Sequence, residues 1–285
     1  MKKDLRKQYP KEPKFLLALW FILILLGSCS YRKYDGLLTW EEYKKNSARE
    51  TYILELVTEK GSLVYYGSIH SVDPRDPQFV DIEKRWRRFR PTKVLCEGCI
   101  WPLEDSRKRA IRQYGEGGLV RFLAARNGIP IKCIDPPRSR EIFYLSHFFT
   151  PERVKLYYIL RQAVVNRNLK KDIKDVNYAR NILDELIRFR RYEGNPNTFH
   201  EFESTVYKVF PELESWQSIP AFYFYSNNPE NFLPRIHRKL NEYRDHHMIK
   251  TLIKELKKGE RVFAVVGRSH VVKQEPVLRS ELSAF

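Results

Sequence analysis

Short apolar runs closed by glycine or proline alternate with stretches of helical periodicity along this chain. Residues 52–57 (Tyr-Ile-Leu-Glu-Leu-Val) and 63–66 (Leu-Val-Tyr-Tyr) have strand length and β-branched or aromatic content. Glu59-Lys60-Gly61-Ser62 between them is turn chemistry, so the pair predicts a hairpin, with Gly67 breaking its second strand. In residues 76–89, Phe79, Ile82, Trp86 and Phe89 recur at helical spacing and Pro91 stops the segment. Residues 93–96 form a short buried strand ending at Glu97. A helical stretch over 119–126, stopped by Asn127-Gly128, leads to a strand over 129–134 that ends at Asp135-Pro136-Pro137.

From 138 to 258 nearly every signal is helical, punctuated by Pro151, Pro196, Pro211, Pro220, Pro229 and Pro234. This region is expected to be a helical insertion or cap whose last helix, roughly 234–257, is ended by Gly259. Residues 261–266 (Arg-Val-Phe-Ala-Val-Val) form a strongly buried strand closed by Gly267. Strands alternating with helices predict an α/β fold with a central, mainly parallel sheet. Two units echo each other: an apolar strand followed by Gly67-Ser68-Ile69-His70, and another followed by Gly267-Arg268-Ser269-His270.

The first residues change the picture. Lys2, Lys3, Arg6, Lys7, Lys11 and Lys14 precede twelve unbroken apolar residues, 15–26. At ~1.5 Å per residue such a run spans about 18 Å, short of a ~30 Å hydrocarbon core, so an export signal fits better than a membrane-spanning helix. It ends Leu26-Gly27-Ser28-Cys29, which resembles a bacterial lipobox with Cys29 lipidated. The expected organisation is a signal peptide over 1–28, a tether with an entry helix over 29–50, and one α/β domain over 51–285 with its insertion at about 138–258. The protein would then sit in the cell envelope, lipid-anchored on the non-cytoplasmic side, with the inner or outer membrane left open.

Charge and cysteines add less. Lys and Arg number 52 against 35 acids, net +17; without the first 28 residues the balance is 46 against 33, or +13. Such a field favours anionic lipids or polymers without identifying one. Nucleic acid is not expected, since export removes the chain from it and no reading-helix or zinc-finger pattern is present. Cys96-Glu97-Gly98-Cys99 has CxxC spacing but no second pair to complete four zinc ligands. Cys96 reads as a small core residue, and the redox state of Cys96, Cys99 and Cys133 stays open.

The chemistry collects at strand ends. His70, Glu97, Asp135 and His270 each stand just past a predicted strand, and in a parallel sheet such positions converge on one crevice. Two imidazoles and one or two carboxylates suit a divalent metal, or a general base with its orienting partner. Asp135 before Pro136 is also ordinary turn chemistry, as is Glu97 before Gly98. On the long helix, Arg244, His247 and Met248 share a face. Arg244 suits a carboxylate or oxyanion, and only one of His246 and His247 can face the crevice.

These residues together carry a resemblance. Gly67-Ser68-Ile69-His70, the strand-end Glu97, Arg244-Asp245 shortly before Met248, and Gly267-Arg268-Ser269-His270 look like the TraB/Tiki/GumN superfamily, a grouping with erythromycin esterase-like and ChaN-like proteins, over residues 51–275. The resemblance implies paired structural repeats around a central sheet and a His/Glu pocket. It also implies a metal-dependent hydrolase, acting on peptides or esters, or in the ChaN-like branch a haem-binding lipoprotein. Carried over, His70, Glu97 and His270 would hold the metal, whose identity is unspecified, and Glu97, Arg244 and His270 would be catalytic. Beside the residues carried over, Asp135 from its strand end, His247 from its helix face and Arg268 from the final motif are further candidates for the pocket. Two positions depart from the pattern: Asp245 where many members have Asn, and the bulky Arg268 where a small residue is expected. The leading expectation is a membrane-tethered metallohydrolase, a peptidase or esterase acting on peptides or proteins. The others are a haem- or ligand-binding lipoprotein, and a polyanion-binding envelope protein.

Overall fold

Alternation within the apolar runs decides how the strands stack. In the computed structural model, β1 (Tyr52–Val57) and β2 (Ser62–Ser68) pair antiparallel, with Tyr52 opposite Gly67. Strands β3 (Lys93–Cys96), β4 (Ile131–Cys133) and β5 (Arg261–Gly267) complete a five-stranded sheet in the order β1-β2-β5-β3-β4. The β2–β5, β5–β3 and β3–β4 pairs are all parallel. The structure describes residues 34–45, 50–98, 101–168, 176–188, 194–226, 228 and 230–283. The expected export signal, Cys29 and Cys99 lie outside them.

The last strand in sequence is the middle strand of the sheet, and it is buried from Val262 to Gly267. Its side chains go alternately to two cores. Phe263 and Val265 join Val64, Tyr66, Val94 and Cys96 on one face. Val262, Ala264 and Val266 join Leu63, Tyr65 and Leu95 on the other. Each fully buried side chain of this size contributes about 1.5–3 kcal/mol.

The first face is covered by α2 (Pro77–Phe89) and α3 (Arg107–Arg126). Helix α2 starts where the sequence places it: the Asp76 carboxylate accepts from the Gln78 N–H, and Pro77 occupies the first turn. Its Trp86 packs edge-on against Phe263, ring centroids 5.5 Å apart. Helix α3 begins twelve residues before the periodic stretch that announced it, and kinks at Gly115 (φ 58°, ψ −137°). The second face is covered by α8 (Phe232–Leu256) and α9 (Arg268–Leu282). Gly67 does not break β2. It lies inside the strand, where a Cβ would come within 2.9 Å of the Arg268 Cα and 3.0 Å of the Tyr52 carbonyl oxygen. The glycine is there for close packing of α9.

The insertion is helical, as expected: α4 (Arg138–Leu145), α5 (Pro151–Asn168), α6 (Asn177–Ile187), α7 (Phe199–Val209), two 3-10 turns (Trp216–Ser218 and Ala221–Phe224) and α8. It has its own core, in which a fully buried Trp216 meets Phe202 edge-on at 5.1 Å. The buried Lys155 ammonium is capped by the carbonyls of Gly194 and Pro196 and by Asn197 Oδ1 at 2.7, 3.0 and 3.0 Å. A short α1 (Trp40–Lys45) precedes the sheet. The compact unit begins at Tyr34, so part of the stretch expected as a tether packs on the body: Tyr34 is buried, and its N–H donates to His246 Nδ1 at 3.1 Å. Among the described residues no helix is long and apolar enough to cross a membrane.

Candidate functional site

Four predicted residues meet where the parallel strands end. Glu97 follows β3 directly, and its Oε2 accepts from the Gly267 N–H at 3.0 Å, at the end of the neighbouring β5. Its Oε1 accepts from Arg244 Nη2 at 2.7 Å. Asp135 follows β4, and its Oδ1 accepts from the same Nη2 at 2.6 Å while its Oδ2 accepts from the Gly98 N–H at 2.9 Å. A single guanidinium therefore joins two strand-end carboxylates. Glu141, on α4, stands 3.7 Å from Arg244 Nε, and Asn241 Oδ1 accepts from Nη1 at 3.3 Å. Arg244 is 6% exposed.

The charges explain the ionisation states. Burial works against a charged Glu97, but Arg244, His270 and His70 beside it hold its carboxyl well below the usual carboxylate range. Burial likewise opposes the Arg244 cation, and Asp135, Glu97 and Glu141 more than restore it. Glu141 is raised, because burial outweighs the attraction of Arg244.

His70 sits in a strained turn just past β2, with φ 54°, a left-handed conformation uncommon outside glycine. The adjoining Ser71 N–H donates to Glu116 Oε1 at 2.8 Å, and Glu116 Oε2 lies 3.7 Å from His70 Nδ1. The kink in α3 makes this possible. A Cβ on Gly115 would stand 2.8 Å from the Ser71 carbonyl oxygen, so only glycine lets the helix approach. The Glu116 carboxylate, helped by Glu97, raises His70 to about 9. Its side chain is 69% exposed, so water screens part of that interaction. On the far side, His70 Nε2 approaches Gly267 so closely that a Cβ there would lie 2.8 Å away.

The second histidine differs. His270 is not in a loop beyond the strand; it sits in the first turn of α9 and is 6% exposed. Its Nδ1 bonds Asp245 Oδ1 at 2.6 Å. Asp245 is fully buried and also accepts from Lys273 Nζ and from Gln274 Nε2, the latter at 2.7 Å. Gln274 in turn accepts from Tyr65 OH at 2.9 Å. Burial opposes charge on Asp245, but Lys273 and His270 drive its carboxyl far below the ordinary value. Lys273, Gln274, Glu116, Glu141 and Asn241 escaped the sequence reading, and Asp245 entered it only as a departure from Asn. The i, i+3, i+4 spacing of His270, Lys273 and Gln274 past the final strand was the one available signal.

Two expected pocket residues make no bond in this network. The Arg268 guanidinium lies over the rings of Tyr43 and Tyr52, at 5.6 and 5.7 Å, and donates to Tyr43 OH at 3.1 Å. Its side chain thus lies against α1 and β1. His247 is half-buried, and burial with the charge of Arg140 lowers its pKa, but it makes none of the bonds that hold Arg244, Glu97 and Asp135 together. His246 is used structurally, stacked on Tyr34 at 5.8 Å.

Among the described residues, no group of three or more His, Cys, Asp or Glu stands in an arrangement that would hold a metal ion. Comparison with protein-family models, curated proteins and solved structures finds no match to this chain.

Proposed function

We propose that this pocket hydrolyses an acyl bond, amide or ester, in a divergent member of the TraB/Tiki/GumN superfamily, with His270 as general base. The observation that carries the proposal is the Asp245–His270 pair at 2.6 Å. A buried carboxylate on Nδ1 fixes the tautomer, leaves Nε2 to take a proton, and stabilises the imidazolium that results. Water gives a proton to Nε2 as its oxygen bonds to the acyl carbon. The tetrahedral adduct then collapses, the bond to the leaving group breaks, and that group takes the proton from Nε2, which returns His270 to its starting state. His70, held protonated beside Glu116, supplies positive charge at the mouth. Arg244 has its Nη2 on two carboxylates and its Nη1 on Asn241, so its role is to hold Glu97 and Asp135 in place.

The donor set does not fit a divalent ion as arranged. Both Glu97 oxygens already accept bonds, from Arg244 and from Gly267, and a guanidinium supplies the positive charge a metal would bring. No step above therefore passes through a metal. The lipid anchor at Cys29 and an envelope location remain part of the proposal and rest on residues 1–29 of the sequence.

The test uses the full chain in detergent, with fluorogenic peptides and aryl esters. The expected result is turnover that chelation leaves intact and that His270→Ala lowers by about 10²- to 10⁴-fold. Turnover abolished by chelation and restored by one divalent metal would reinstate the metal-dependent version. A haem absorption band without any turnover would assign the ligand-binding alternative.

A further inference from the structure

The helical insertion reaches the pocket through a line of polar contacts that the hydrolytic scheme does not use. On α8, His237, Asn241 and Arg244 follow at i, i+4 and i+7 and so share one stripe. Tyr157 OH, from the buried face of α5, lies 3.0 Å from His237 Nδ1. His237 Nε2 lies 3.0 Å from Asn241 Nδ2, and Asn241 Oδ1 accepts from Arg244 Nη1 at 3.3 Å. The imidazole is walled by Phe224 and Tyr225, ring centroids at 6.2 and 5.1 Å. Burial, with the positive charges of Arg161 and Arg244, pushes it down to about 3, so it is neutral.

A neutral imidazole has one donor nitrogen and one acceptor. If Nε2 carried the proton, Asn241 would have to turn its oxygen toward His237. Its NH₂ would then face Arg244 Nη1, donor against donor. With the proton on Nδ1, no donor faces a donor: Nδ1–H donates to Tyr157 OH, Asn241 Nδ2–H donates to Nε2, and Oδ1 is left for the guanidinium. We infer that His237 and Asn241 are positioning residues, and that the Nδ1–H tautomer of His237 sets the Asn241 amide so that it holds Arg244 between Glu97 and Asp135. The insertion core thereby orients the pocket. The inference rests on the proposal that this pocket is the reactive one only for its functional consequence.

Nitrogen NMR of the ¹⁵N-labelled full chain tests it without needing a substrate. His237, assigned by its loss in His237→Gln, should show the protonated-Nδ1 pattern; a protonated-Nε2 pattern in the unaltered protein overturns the inference. The Arg244 guanidinium, assigned by its loss in Arg244→Lys, should show slowed rotation with separate Nη signals. Asn241→Leu should average them, and signals that stay separate there also overturn it. Asn241→Asp keeps the acceptor but loses the donor. It should preserve the Arg244 signals while switching His237 to the Nε2–H tautomer, which a merely space-filling Asn241 would not do. If Asn241→Leu does not fold, this switch decides. With these signatures present but no turnover dependent on His270, the hydrolytic proposal fails and the positioning relay stands. Turnover with the opposite tautomer leaves the reverse.

Discussion

Asp245→Asn is the sharpest single perturbation of this protein. The side chain keeps its shape but loses the charge that balances Lys273, itself 7% exposed, and the bond that orients His270. One of its two terminal atoms becomes an NH₂ group facing donors. Loss of a hydrogen bond to a charged group costs about 1.5–3 kcal/mol, and leaving a buried cation without its partner costs about 3–5 kcal/mol. These overlap rather than add, so a loss of about 3–5 kcal/mol is expected from a total of about 5–15 kcal/mol. The sign with pH follows from the depressed carboxyl. Asp245 contributes its stability above the unfolded-state value near 3.8 and loses it as pH falls toward its lower folded-state value. Urea unfolding followed by tryptophan fluorescence should therefore show a wide gap between the two proteins at pH 7 that narrows below pH 4. The double variant Asp245→Asn/Lys273→Met should recover part of the loss, with a coupling above about 1 kcal/mol. A gap under about 1 kcal/mol at pH 7, or one that does not narrow in acid, would refute the account of a buried ion pair.

Glu116→Gln should bring the His70 imidazole titration down from about 9 toward 6.5, read by proton NMR; because its folded-state value is raised, His70 contributes stability that is complete below 6.5 and gone above about 9, and an unmoved titration would clear Glu116 of any role. Gly115→Ala should cost about 1–3 kcal/mol or more, since its φ of 58° is strained for alanine and the new Cβ meets the Ser71 oxygen at 2.8 Å; an unchanged thermal midpoint would contradict the kink. Glu97→Gln should lower stability by about 1–3 kcal/mol in urea titration, because one amide hydrogen must face Arg244 or the Gly267 N–H, and a neutral result would mean those bonds are weak.

The framework of the fold was legible because the inner strands β2, β5 and β3 are buried on both faces and stand out as apolar runs, and the edge strand β1 keeps enough apolar residues to be seen beside them. Residues 52–57, 93–96 and 261–266 are strands within a residue of where the pattern puts them. The start of α3 was not legible. Its first turns, Arg107 to Arg112, are basic and partly exposed, and glycine at 115, 117 and 118 disguises the helix. In the site, His70, Glu97 and Asp135 were found because strand ends converge, and Arg244 because it lies on the face of the long helix turned to the sheet. What holds them was not. Glu116 depends on a glycine kink, and Asp245 had been noted only as a departure from Asn, though its charge is what anchors His270. Arg268 misled because its neighbours in sequence face the pocket while its own side chain turns to the tyrosines of the β1 flank.

The order of the strands has a consequence for how the chain comes together. Until residue 261 is available, no strand pairs the β1–β2 hairpin with the β3–β4 ribbon, and His270 does not exist opposite Asp245. A product ending before Arg261 thus lacks the middle of its sheet rather than an edge. Completion of the pocket waits on residues past 261, and the long-range pairing it requires makes slow folding the natural outcome.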